Sequence, residues 1–165
     1  MIIKIFYLLK LSILILFFNS VSYSQDTPDK IVDINLSPIT KTIKKGSLVE
    51  LELLMNIKEG WHINSDKPFD PNMVPTVVSL KDTVIYKLKN IKYPVPHLKK
   101  LSFSENELSL YEDTEIVKIQ LIIDKNYNKM NIVISGKIQY QPCNDQTCLF
   151  PFTKSFSTNL KIDGE

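Results

Sequence analysis

The feature that most constrains the fold is strict apolar alternation with no helical period. In "SLVELELLMNI", Val49, Leu51, Leu53, Met55 and Ile57 fall on one face, with Glu50 and Glu52 on the other. "EIVKIQLIID" repeats the pattern with Val117, Ile119, Leu121 and Ile123. "NIVISGKIQY" does so with Ile132, Ile134, Ile138 and Tyr140, and "TKSFSTNLKI" with Phe156, Leu160 and Ile162. A period of two puts successive side chains on opposite sides of a half-buried strand. "IVDINLS", "TVVSL" and "VIYKLKNI" are further strand candidates. Turn formers separate the runs: Lys45-Gly46, Glu59-Gly60, Asp70-Pro71-Asn72 and Asn126 to Asn128. Roughly seven to nine short strands without helices predict an all-β chain, an antiparallel β-sandwich of immunoglobulin-like type. A closed barrel is the alternative. Lys92 to Glu107 holds two prolines and little alternation, so it reads as a long loop, a feature often functional in a small domain.

The N-terminus reads differently. Lys4 and Lys10 sit among apolar residues, an apolar run follows from Leu11 to Phe18, and Ser22 and Ser24 precede a plausible cut before Gln25. That is the layout of a secretory signal peptide. A retained membrane anchor is the other reading, but Leu11 to Tyr23 is short for the ~20 apolar residues of a spanning helix. No cysteine lies near the cut, which argues against a lipid anchor. The expected organisation is a signal peptide over 1–24 and a single domain over 25–165, periplasmic or secreted after cleavage. Removing Lys4 and Lys10 from the 20 basic residues leaves 18, against 18 acids. All of these basic residues are lysine, and no basic stripe suggests nucleic acid. The lack of arginine argues against a bidentate phosphate clamp. Lysine-bearing strand edges favour a monomer.

The only two cysteines, Cys143 and Cys148, lie in "YQPCNDQTCLFP". Asn144 and Asp145 are turn formers, so the pair flanks a four-residue loop near the mouth of a hairpin. Opposed residues on antiparallel strands have Cα atoms ~4.5–5.5 Å apart, which a disulfide accepts. Three readings compete. As a staple, so short a ring contributes only ~2 kcal/mol on the loop-entropy model, and a chain of this size can bury a core without it. A metal clip would need His62 and His97 as well, and these stand far apart in sequence. A redox pair is the third reading, and the residues alone leave it and the staple equally open. No lysine or histidine adjoins the cysteines in sequence, and Asp145 disfavours a thiolate. Such a pair attacks poorly but is a good target for a partner thiolate.

"EGWHINSDKP", "KYPVPHLKKLSFSENELSLYEDTEIVKIQLII" and "GKIQYQPCNDQTCLFP" resemble the N-terminal periplasmic domain of the thiol:disulfide interchange protein DsbD, also called the disulfide bond corrector domain. The resemblance spans about Ile31 to Ile162. It rests on Tyr140, Gln141, Cys143, Cys148 and Pro151, and on Gly60, Trp61 and His62. It implies an immunoglobulin-like sandwich with a redox-active hairpin disulfide and no cofactor or metal. It implies electrons arriving from a membrane-embedded donor and leaving to thioredoxin-fold periplasmic proteins by thiol–disulfide exchange. Cys148 would form the mixed disulfide and Cys143 would resolve it. It further implies a cap loop, matched to Leu98 to Asn106 with Phe103 at its tip, and puts Trp61 and His62 on a segment beside the site, although Trp61 itself is expected in the core. His62, Tyr140 and Pro151 are expected beside the site. Two departures stand out. The sequence ends at Glu165, so a membrane donor would act in trans, and "LFPF" follows the second cysteine in place of a proline run. The competing function is a non-catalytic envelope binding domain with a structural disulfide.

Overall fold

A computed structural model describes residues 27–163, so the expected signal peptide over 1–24 lies outside the described residues. In chain order, one helical turn α1 (Pro28–Ile31) leads into β1 (Val32–Leu36), β2 (Leu48–Ile57), β3 (His62–Asn64), β4 (Val77–Leu80) and β5 (Tyr86–Lys92). Then come β6 (His97–Lys99), β7 (Leu108–Tyr111), β8 (Thr114–Ile123), β9 (Asn131–Tyr140), β10 (Pro142–Cys143) and β11 (Phe152–Lys161). Every periodic run forms a strand. The helical turn was not expected; Pro28 in its first turn suits a fixed φ and a missing N–H. The stretch read as one long loop is also interrupted, because β6 lies inside it and pairs with β7 just beyond it.

The strands make an antiparallel sandwich. One wall is ordered β1-β2-β8-β5 and the facing wall β11-β9-β4. The first wall supplies Leu51, Leu53, Met55, Ile119 and Leu121 to the core, and the second supplies Ile132, Ile134, Ile138, Phe156 and Leu160, all in one buried cluster. Burying each aliphatic side chain fully stabilises by roughly 1.5–3 kcal/mol. The polar phase of the alternation faces out, where Lys118 Nζ and Gln120 Nε2 donate to Glu50 at 3.1 and 2.9 Å.

A third sheet, ordered β10-β3-β7-β6, has only short strands. It continues the first wall around a corner. The β2–β8 ladder ends at Asn56 opposite Thr114, and the β3–β7 ladder resumes at Ile63 opposite Tyr111. Both chains turn at a residue with positive φ, Gly60 at 76° and Asp113 at 57°. Glycine adopts that region without a Cβ penalty, and aspartate is among the few other residues that tolerate it. The facing wall contributes the fourth strand: β9 ends at Tyr140 and the chain crosses to pair as β10 against β3. The cysteine hairpin therefore leaves the sandwich where the two walls meet at one end.

Candidate functional site

The cysteines are bonded. Cys143 and Cys148 form a disulfide with Cα atoms 4.0 Å apart and face each other as an antiparallel bridge. Asn144 shapes the turn between them: its Oδ1 accepts from the backbone N–H of Gln146 and of Thr147, both at 2.9 Å. The Asn144 N–H donates to the Thr147 carbonyl at 2.9 Å, and below the bridge the Leu149 N–H donates to Pro142 O at 2.8 Å. The two cysteines differ in access. Cys143 is fully buried, whereas Cys148 is partly exposed.

The disulfide has its own apolar bed, separate from the sandwich core. Leu101, Leu108, Leu110 and Cys143 form a buried cluster, with Met73 and Cys148 packed against it. Leu101 belongs to the loop between β6 and β7, and Ser102 beside it donates its hydroxyl to the Asp145 carbonyl. The loop is thus latched to the tip of the cysteine turn. Phe103, expected to be its covering tip, is 39% exposed, while Leu101 is 2% exposed. The loop's buried apolar contact with the cysteine cluster is made by Leu101.

Gln141 is the joint that holds the hairpin in place. Its Oε1 accepts from Asn64 Nδ2 at 3.1 Å and from the Val74 N–H at 3.0 Å, and its Nε2 donates to Leu149 O at 3.1 Å. One side chain ties β3, the segment leading to β4 and the return arm of the hairpin. Tyr140 faces the other way. It is buried in the sandwich core, stacks edge-on to Phe152 at 6.2 Å and donates its hydroxyl to Pro28 O at 3.0 Å. Burial, with the Asp29 charge as a lesser cause, pushes its phenol well above the ordinary tyrosine range. Pro151 is exposed just ahead of β11, next to Phe150, which is 87% exposed. Trp61 packs in the sandwich cluster.

His62 stands directly across the β3–β10 ladder from Cys143 and is 3% exposed. Its Nδ1 lies 3.1 Å from Glu112 Oε2 and its Nε2 3.6 Å from Asp145 Oδ1. The sequence neighbours of the cysteines showed no basic group; the fold brings one in from β3. Burial alone would raise the Glu112 carboxyl, but the Lys99 hydrogen bond at 3.2 Å and the charges of Lys99, His62 and His97 outweigh it and hold it below the ordinary glutamate range. His97 lies on β6, which β7 separates from β3, and pairs with Glu115 at 3.3 Å. The two histidines do not converge, and no group of three or more His, Cys, Asp or Glu side chains among the described residues is arranged to hold a metal ion.

A sandwich that carries a half-accessible disulfide on an end hairpin, under a latched loop, has the form of a thiol–disulfide exchange module. The family model described as "Thiol:disulfide interchange protein DsbD, N-terminal" matches residues 37–160, and the chain belongs to that family. Two solved structures share the fold. The reduced N-terminal domain of DsbD from Neisseria meningitidis aligns with a TM-score of 0.53 at 13% identity, over 84% of this chain and 95% of that one. The N-terminal periplasmic domain of ScsB from Proteus mirabilis also gives 0.53, at 14% identity, over 84% of this chain and 49% of that one. No curated protein matches the sequence. The family is a periplasmic one, and no helix among the described residues is long and apolar enough to cross a membrane.

Proposed function

We propose that this protein is an exported carrier of reducing equivalents. Residues 1–24 direct it to the periplasm, where the Cys143–Cys148 pair receives electrons from a membrane-embedded donor and passes them to thioredoxin-fold proteins. The observation that carries this reading is the difference in access between the two sulfurs. Exchange proceeds by thiolate attack along a path to one sulfur of a disulfide. Cys148 is the partly exposed member, so it forms the mixed disulfide; Cys143, buried behind it, resolves it. The loop bearing Leu101 and Ser102 shields the pair from stray thiols until a docking partner moves it, with Phe103, Phe150 and Pro151 on the face the partner meets. The Asp145 and Glu112 carboxylates disfavour a free thiolate, so the reduced module does not attack disulfides at random.

The test is the equilibrium reduction potential of the pair in the mature protein. A value between about −200 and −260 mV matches thioredoxin-type carriers, whereas a value below about −300 mV marks a permanent structural bond and ends the proposal. Trapping follows: the Cys143→Ala variant should hold a thioredoxin-fold partner as a mixed disulfide through Cys148.

A further inference from the structure

The buried polar side chains around the disulfide are satisfied, with one exception. Asn64 donates to Val74 O at 3.0 Å and to Gln141, the Ser65 and Ser109 hydroxyls bond at 2.8 Å, and Thr76 donates to Asn64 O at 2.5 Å. Only His62 differs: among the described residues, its Nδ1 and Nε2 are the buried side-chain polar atoms without a hydrogen bond of acceptable geometry. Its nitrogens face carboxylates instead, Nδ1 toward Glu112 at 3.1 Å and Nε2 toward Asp145 at 3.6 Å, and a buried imidazole held in this way beside a reactive bond calls for an explanation in the chemistry.

We propose that His62 is the proton carrier of the disulfide, taking the proton from Cys143 when the pair oxidises and returning one when it is reduced. The proposal rests on the exchange function above. Cys143 is fully buried, so its thiol proton has no direct route to water. Its cross-strand partner is His62, and side chains paired in this way have Cβ atoms about 4.5–5.5 Å apart on one face. The charged groups that face the imidazole come from each element around it. Glu112 follows β7, Asp145 sits in the cysteine turn, and Lys99 on β6 is bonded to Glu112. His97, also on β6, acts on Glu112 through its charge. An ordinary imidazole is about two pK units less basic than a thiolate, while a carboxylate is about four units less basic. The histidine is therefore the better-matched acceptor, and the carboxylates on either side stabilise the imidazolium that forms.

The steps balance. Cys148 thiolate attacks one sulfur of the partner disulfide; that bond breaks and the second partner sulfur leaves as a thiolate. His62 then takes the proton from Cys143. The Cys143 thiolate attacks the Cys148 sulfur, the internal disulfide forms, and the intermolecular bond breaks to release the other partner thiolate. Two electrons have passed to the partner. Its two thiolates take up two protons from solvent, and the proton held by His62 goes back to Cys143 when the pair is next reduced.

The experiment uses reduced full-length mature protein and oxidised glutathione. Decay of the Cys148–glutathione mixed disulfide is followed after acid quench by mass spectrometry across a pH series. The wild type should show an inflection that the His62→Gln variant lacks. In His62→Gln the decay at neutral pH should fall by roughly 10²- to 10⁴-fold and climb in proportion to hydroxide, while formation of the mixed disulfide at Cys148 keeps its wild-type rate. A general loosening of the site would change both steps and leave the pH profile's shape intact. If His62→Gln does not fold, the wild type still decides: the His62 ring signals in an NMR titration should give different midpoints in the oxidised and reduced protein. Equal midpoints, or a variant that follows the wild-type profile throughout, overturn the assignment while leaving the exchange function standing. A pair that never exchanges with glutathione removes both.

Discussion

The two long-stranded walls and the short sheet at their end are built on opposite principles. In the walls, β2, β8 and β9 alternate between a buried and an open face, and stability comes from a broad aliphatic core. In the short sheet, β3, β7 and β10 are buried on both faces. It joins the sandwich core through Ile63 and Tyr111, and its other face is held by a small apolar bed and specific hydrogen bonds through Gln141, Asn64, Ser65 and Ser109. The first design tolerates exchange of one aliphatic residue for another and gives bulk stability. The second fixes the position of a few atoms and leaves one bond open to attack. The difference teaches that the reactive end is anchored to the core on one side by Ile63 and Tyr111 and positioned on the other by individual polar contacts.

Four measurements would break or sharpen that contrast. The largest effect is expected in the walls. Leu53→Ala removes a fully buried side chain and should destabilise by roughly 2–5 kcal/mol in denaturant titration, with the reduction potential unchanged; a shifted potential would mean that the two regions are coupled. In the short sheet, Gln141→Ala leaves the Val74 N–H and the Leu149 carbonyl without this partner. It should cost about 2 kcal/mol and, unlike the core change, should also speed attack by dithiothreitol on the disulfide. Reducing the disulfide should cost about 2 kcal/mol. Hydrogen exchange should place the loss in β10 and residues 144–149, with β2 and β8 as protected as before.

The smallest effect is electrostatic. Glu112 is held below the ordinary glutamate range chiefly by Lys99 against the opposing effect of burial. A depressed carboxyl pKa stabilises the folded state above the unfolded value, and this is lost as pH falls through the folded one. Lys99→Met should therefore lower stability at neutral pH by under ~1 kcal/mol. The two stability curves should converge as the pH falls through the wild-type Glu112 value. Curves that stay parallel into acid would show that Lys99 acts through packing alone.

The same contrast governs what could be read in the sequence. The runs that became β2, β8, β9 and β11 were legible because each keeps one wet face, and wet faces write a period of two into the residues. The segments His62–Asn64, Leu108–Tyr111 and Pro142–Cys143 have no wet face and are too short for any period to show. The hairpin and the opposed cysteines could be derived from turn formers flanking the pair. Gln141 appeared only as part of a motif, because the partners that give it a task lie far away in sequence. Leu101 carried no signal to set it apart from Leu98 or Phe103; which of them turns inward depends on how the loop is latched to Asp145. Only the resemblance placed His62 beside the cysteines, because nearness across a ladder leaves no trace in spacing.

The register of β9 against β11 has a consequence for how such chemistry is acquired. The ladder runs unbroken from Asn131 opposite Lys161 to Tyr140 opposite Phe152, and residues 141–151 emerge from that closed base. None of the ladder's residue pairs falls within that excursion. An excursion of different length or composition could be spliced onto the same base without sliding the ladder, which would otherwise turn every side chain to the wrong face. The reactive segment is in this sense an exchangeable tip on a fixed handle, free to be rewritten while the handle keeps its shape.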